Sequence, residues 1–304
     1  MPVHESGKPA VNDERRRDFS MEHNDPRGGG VYAENADLVP VRIYSGAGDR
    51  TEKSQWVVRE RPVTLYFGGR EVVTLLCAGH HLDELAVGFF HAEGFLREPG
   101  ELKEVRVDEE AGRVDVHATT DGALAERLWS KRTISSGCGK GSVFYHALDA
   151  LMSKPVSSAL EVSGRQVLER MEDLRQLSET YRHTHGVHNT VLATPERVVL
   201  FRDDIGRHNA VDMIVGHAFL KGIRLDDKLL LTTGRLTSEI LIKAAKVGIP
   251  VLISRNTATS LAIQLAESLA ITLVGYVRGG RFTVYTGDRR IVFDSAEGTG
   301  AGRA

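Results

Sequence analysis

Between Lys228 and Val277 the chain alternates in a way that few folds can accommodate. Three apolar runs, KLLLTT, PVLIS and ITLVGYV, are separated by two amphipathic stretches, SEILIKAAKV and SLAIQLAESL. The runs are short and solidly apolar, as strands buried on both faces are. The stretches between them return an apolar residue every third or fourth position, as helices do. Strands that alternate with helices build a sheet that is at least partly parallel, with helices covering its faces. FTVYT closes this sheet. Upstream, a hairpin (TVLATPERVVLFRDD, turning at Pro195) leads into a helix from about Asn209 to Leu220. The expected class is α/β, with a mixed sheet and helices on both faces in the C-terminal half.

Nearer the N-terminus the pattern is that of strands. QWVVRE, PVTLYF and REVVTLLC are rich in β-branched and aromatic residues, and Gly68-Gly69 suits a tight hairpin between the last two. DELAVGFFHAEGFL changes to helical spacing, with Asp83 as the expected N-cap. KEVRVDEEAGRVDVHAT reads as a hairpin turning at Ala111-Gly112, ALAERLWS as a short helix, and SGRQVLERMEDLRQLSETY as a helix capped by Ser163. The expected organisation is a tail over 1–40, a smaller β-rich part over 41–135, a larger domain over 136–293 and a second tail over 294–304. Both tails are polar and glycine-rich and read as disordered.

A chain of 304 residues can bury a full core without staples. Its two cysteines exclude a disulfide framework and any four-cysteine zinc module. The net charge of −2 offers no general attraction to nucleic acid or acidic membranes, so a phosphate-bearing ligand needs a local site. No apolar run approaches the roughly 20 residues that span a bilayer, and the first residues lack a signal-peptide pattern. The expectation is a cytoplasmic protein with no membrane or nucleic-acid partner.

Cys138 sits in SSGCGKGS between Gly137 and Gly139, with Lys131, Arg132 and Lys140 nearby. SVFYHALDALM reads as a following helix, whose first amides would stabilise a thiolate. A small buried side chain in a glycine turn is the plainer alternative. Cys77, inside VVTLLC, reads as core. His183, His185, His188 and His208, with Asp203 or Asp204, could ligate zinc, but their spacing fits no standard pattern, and solvated or ligand-facing histidines explain them better. His91-Ala92-Glu93 followed by Cys138 matches part of a zinc-deaminase signature, but Gly141 stands where a second cysteine ligand belongs. No metal site is expected. Two strand-to-helix turns suit anions: TTGRLTSE, with Gly234, Arg235, Thr237 and Ser238, and SRNTATSLA, with Asn256, Thr257, Thr259 and Ser260. For one such turn alone a plain helix cap is the preferred reading, but two at the carboxyl ends of adjacent strands point to a crevice site. GYVRGGRF adds Arg278 and Arg281 around a glycine pair.

Taken together, SSGCGKG, HGVHNTVLA, DDIGRHNAVDMIVG, TTGRLTSEILIKAAKVGIPVLISRNTATSLAIQLAE and LVGYVRGGRFTVYT resemble the FdhD family of formate dehydrogenase accessory sulfurtransferases. The resemblance runs from about Val57 to Tyr285. It implies a cytidine-deaminase-like fold and a persulfide on Cys138, with sulfur supplied by an IscS-like cysteine desulfurase. The implied cargo is the molybdenum bis(molybdopterin guanine dinucleotide) cofactor, bound at Tyr276, Val277, Arg278, Gly279, Gly280 and Arg281 before insertion into formate dehydrogenase. A homodimer is implied as well. Two departures stand out: Gly141 replaces the second cysteine many members carry, and Thr184-His185-Gly186-Val187-His188 replaces the usual Thr-Gly-Gly-x-His. A cofactor-delivery chaperone without sulfur transfer and a zinc-dependent hydrolase are the competing functions.

Overall fold

The computed structural model describes residues 35–119 and 154–293, together with the backbone of two short strands at 133–134 and 142–143. Strands β1 (Ala36–Tyr44) and β2 (Arg50–Val58) form a two-stranded antiparallel arm. β1 begins ahead of Pro40, where a tail was expected, because Ala36 is buried opposite Val58 and anchors the strand.

β3 (Arg61–Phe67), β4 (Arg70–Cys77), β5 (Leu102–Asp108) and β6 (Arg113–Ala118) make a four-stranded sheet in the order β4-β3-β6-β5. Gly68 and Gly69, both at positive φ, turn β3 into β4 as a two-residue hairpin. Helix α1 (Leu82–Ala92) packs Leu85, Val87, Phe89 and Phe90 on the inner face of that sheet. Its N-cap is His81, in a left-handed conformation and without a side-chain cap. Asp83, the expected cap, lies in the first turn, where its charge suits the helix dipole.

β7 (Thr133–Ile134) pairs with β8 (Ser142–Val143). Ser142 and Val143 are thus extended, not the start of the expected helix. The ALAERLWS segment lies outside the described residues.

The C-terminal half begins with β9 (Val162–Ser163), α2 (Gly164–Leu177) and α3 (Glu179–Thr184). Ser163 caps α2 as expected, in a reciprocal capping box with Gln166. Then follow β10 (His188–Ala193), β11 (Val198–Asp204), α4 (Arg207–Lys221), β12 (Leu229–Thr232), α5 (Ser238–Lys246), β13 (Val251–Ser254), α6 (Ser260–Ser268), β14 (Thr272–Arg278), β15 (Arg281–Thr286) and β16 (Ile291–Val292). Six of these strands form one mixed sheet, ordered β11-β10-β12-β13-β14-β15, in which only the β12–β13 and β13–β14 pairs are parallel.

The central strands are buried on both faces. Leu230, Leu252 and Leu273 pack beneath α4, α5 and α6. Leu229, Leu231, Val251, Ile253 and Val274 face α2. This two-sided covering is what the uninterrupted apolar runs implied.

The two sheets are joined through α1 and α4. Gly88 and Gly216 allow the helix backbones to touch, and Met213 and Phe219 of α4 complete the core under the four-stranded sheet. Glu84 of α1 accepts hydrogen bonds from Arg202 Nε and Nη2 at 2.6 and 2.7 Å. Asp212 of α4 and Lys243 of α5 form a fully buried ion pair at 2.5 Å. Among the described residues, no helix is long and apolar enough to cross a membrane.

Candidate functional site

A cavity of about 750 Å³ opens where the carboxyl ends of β12, β13 and β14 meet the amino end of antiparallel β10. In open α/β sheets the crevice beyond the carboxyl strand ends is the usual ligand site. Thr233 comes from the end of β12, Arg255 and Asn256 from the end of β13, and Tyr276–Gly280 from β14 and its turn. His188 and Asn189 enter from β10, and α2 and α3 contribute Glu172, Arg175, Ser178 and Tyr181.

The β14 wall has an unusual backbone. The β14–β15 register shifts between Gly275 and Arg278. Tyr276 adopts φ 52°, a left-handed conformation rare outside glycine, and is 41% exposed. Its amide donates to the Asn256 carbonyl at 3.0 Å. Gly275 makes this approach possible: a Cβ there would lie 2.8 Å from the Asn256 oxygen and 2.7 Å from Tyr285 Cε2. The Arg278 guanidinium stands 5.3 Å from the centre of the Tyr276 ring, a cation–π distance. Gly279 and Gly280, at φ 59° and 70°, turn the chain back so that Arg281 pairs opposite Arg278.

Of the six residues expected to hold the cofactor, Tyr276, Val277, Arg278, Gly279 and Gly280 line the cavity. Arg281 is exposed on β15 and is not part of the lining.

On the opposite wall, Arg175 and Glu172 form a two-pronged pair at 2.8 and 2.5 Å, and the Arg175 guanidinium holds the Glu172 carboxyl down to about 2. The rings of Tyr181 and His185 meet edge to face at 5.1 Å. Ser178 Oγ donates to Asn189 Oδ1 at 2.7 Å, and the Asn189 amide donates to Thr233 Oγ1 at 3.0 Å, joining α2, β10 and β12. Burial pushes the His188 imidazole below its ordinary value, and the nearby Arg207 and Arg235 guanidiniums add to this. His188 therefore faces the cavity as a neutral ring. Arg255 and Arg278 bring positive charge and the rings of Tyr181, His185, His188 and Tyr276 bring flat surface, so the cavity suits an anion that carries an aromatic group.

The histidines weighed as zinc ligands lie on different elements. His183 lies on α3 and His185 ends it in a left-handed conformation, where a loop was expected. His208 Nε2 lies 3.0 Å from Glu239 Oε2, near enough for an ion pair but outside hydrogen-bond geometry. Asp203 faces His80 at 3.2 Å. Asp204 is fully buried and accepts from the amides of Ala78 and Gly206 and from Asn209 Nδ2. His91 sits near the carboxyl end of α1 with Nδ1 against the Leu96 carbonyl. Among the described residues no three His, Cys, Asp or Glu side chains gather as metal ligands.

The two anion-binding turns divide. Thr259 caps its own helix through the Ala262 amide, whereas Arg255 and Asn256, just before it, line the cavity. From the first turn only Thr233 reaches the lining, and Arg235 is exposed. Cys77 is buried, and burial pushes its thiol up to about 12. Cys138 lies outside the described residues. Because Ser142 and Val143 are strand, the helix invoked to stabilise its thiolate does not begin there.

Sequence reading missed Arg175, Glu172, Tyr181 and Arg255. Arg255 was within reach, being the first residue after a buried strand in a turn already singled out. The α2 and α3 residues carried no such signal.

Comparison with known proteins places this geometry. The sequence model of the FdhD/NarQ family matches residues 58–292, so the match starts at the last residue of the arm. A protein of Bacillus subtilis named sulfur carrier protein FdhD is 42% identical over 244 residues, covering 80% of this chain and 93% of that protein. A Listeria innocua protein of the same name is 40% identical over 252 residues, covering 82% and 96%. The fold also matches, with a TM-score of 0.70 and 26% identity, the crystal structure of a candidate formate dehydrogenase accessory protein from Desulfotalea psychrophila. That match covers 85% of this chain and all of the other. With the family model spanning most of the chain and the relatives aligned over nearly their whole length, this chain belongs to the FdhD/NarQ family.

Proposed function

We propose that this chain is a sulfurtransferase that serves formate dehydrogenase by carrying sulfur on Cys138. The observation that carries the reading is the cavity lined by Tyr276–Gly280 in a chain whose relatives are named sulfur carriers. The Cys138 thiolate attacks the outer sulfur of a persulfide on an IscS-like cysteine desulfurase. The donor S–S bond breaks, the donor cysteine leaves as thiolate, and Cys138 becomes the persulfide. Lys131, Arg132 and Lys140 favour the thiolate by charge. The sulfur is destined for the molybdenum bis(molybdopterin guanine dinucleotide) cofactor, held as cargo rather than as a resident group. Arg278 and Arg255 suit its phosphates, and Tyr276 suits a guanine face. The reading places the protein in the cytoplasm as a homodimer, a two-fold form that suits a cargo with two guanine ends.

The test is mass spectrometry after incubation with a cysteine desulfurase and cysteine. One added sulfur on the Cys138 peptide, absent from Cys138→Ser, is the expected result. A chain that stays unmodified while binding GDP would instead be a delivery chaperone, the reading that Gly141 in place of a second cysteine keeps open. Near-stoichiometric zinc in the purified protein would point to a hydrolase.

A further inference from the structure

Ser254, the last residue of β13, is fully buried. Its hydroxyl donates to the Gly234 carbonyl at 2.6 Å and accepts from the Asn256 amide at 2.9 Å. One hydroxyl thus ties the turn after β12 to the turn after β13. The Asn256 carbonyl in turn receives the Tyr276 amide at 3.0 Å. Tyr276 occupies the left-handed region, a costly conformation for an L residue that persists only where neighbours offset the strain. Outside this chain of contacts, Gly275 only makes room for it.

We propose that Ser254 is a positioning residue for the cavity. It holds the Asn256 amide and so fixes that residue's backbone, whose carbonyl, in the next peptide along, holds Tyr276 in its left-handed conformation with the ring beside Arg278. Ser254 touches no ligand; it acts through Asn256 and Tyr276. The consequence for binding rests on the reading that the cavity takes a guanine nucleotide.

Calorimetric titration with GDP, the probe used throughout, tests this as a double-substitution cycle. Ser254→Ala should weaken GDP binding roughly tenfold, as loss of a buried hydrogen-bonded link implies. On a Tyr276→Ala background the same substitution should change affinity less than about twofold, because the group it positions is gone. An equal loss on both backgrounds would overturn the proposal, since a general weakening of the fold adds independently. Should Ser254→Ala fail to fold, Gly275→Ala presses on the Asn256 oxygen from the other side and should show the same dependence on Tyr276. If the parent protein binds no GDP, the nucleotide reading fails while the positioning claim is still decided. The ligand-free crystal structure of Ser254→Ala should show Tyr276 out of the left-handed region, and a Tyr276 that stays there would refute the role.

Discussion

Gly88 of α1 and Gly216 of α4 face one another with no room for a side chain on either. A Cβ on Gly88 would lie 1.7 Å from the Asp212 carbonyl oxygen, and one on Gly216 would lie 1.9 Å from that of Glu84. These obstacles are helix backbone, which cannot rotate aside as a side chain can. The contact joins the four-stranded sheet to the six-stranded sheet.

Gly88→Ala and Gly216→Ala should therefore each destabilise the protein by about 3 kcal/mol or more, at the upper end of overpacking costs. Urea unfolding would measure this. A loss below about 1 kcal/mol in both would mean that the helices separate without penalty.

The two cysteines should differ sharply towards alkylation. A thiol pushed up to about 12 and buried in the core is almost wholly protonated at pH 8. Iodoacetamide on the folded protein should label Cys138 and leave Cys77 untouched until denaturant is added. Cys77→Ala should retain sulfur loading, and Cys138→Ser should abolish it.

Arg278 and Arg281 should contribute unequally to GDP binding. Arg278 lines the cavity beside Tyr276, whereas Arg281 is exposed on β15. Arg278→Ala should weaken binding roughly tenfold, as expected for a charge-assisted contact, and Arg281→Ala less than about twofold. Equal effects would move the phosphate site onto the outer strand.

Asp204 makes stability depend on pH with a defined sign. Burial pushes its carboxyl up to about 6, from an ordinary 3.8, although three hydrogen bonds oppose the shift. Between pH 4 and 6 the folded protein holds this proton more tightly than the unfolded chain, so this group lowers stability as pH rises through that window. The full effect is at most about 3 kcal/mol. Urea unfolding of Asp204→Asn should lack this downward component. An unchanged pH profile would show that Asp204 titrates normally.

The architecture of the C-terminal half was legible in the sequence because each of its signals is local. KLLLTT, PVLIS and ITLVGYV are apolar throughout, and only a strand covered on both faces buries such a run. Ser163 and Gln166 announce a capping box within one turn. Gly68-Gly69 and Gly279-Gly280 announce their turns, because positive φ at consecutive positions favours glycine. The segment Tyr276–Gly280 could be singled out as a cofactor site through its resemblance to a family. The opposite wall of the crevice could not, because it comes from α2 and α3, about a hundred residues earlier in the chain. Nothing in the spacing of Glu172, Arg175 or Tyr181 says which strand ends they will face. Tertiary structure likewise committed His183, His188 and His208 to three different elements. It also set Tyr276 in a left-handed conformation that tyrosine does not choose for itself, because the Asn256 carbonyl waits there and Gly275 leaves it room. Local sequence determined which segments are strand and helix; which side chains share a cavity was decided by long-range packing, where the free energy depends on partners distant in the chain.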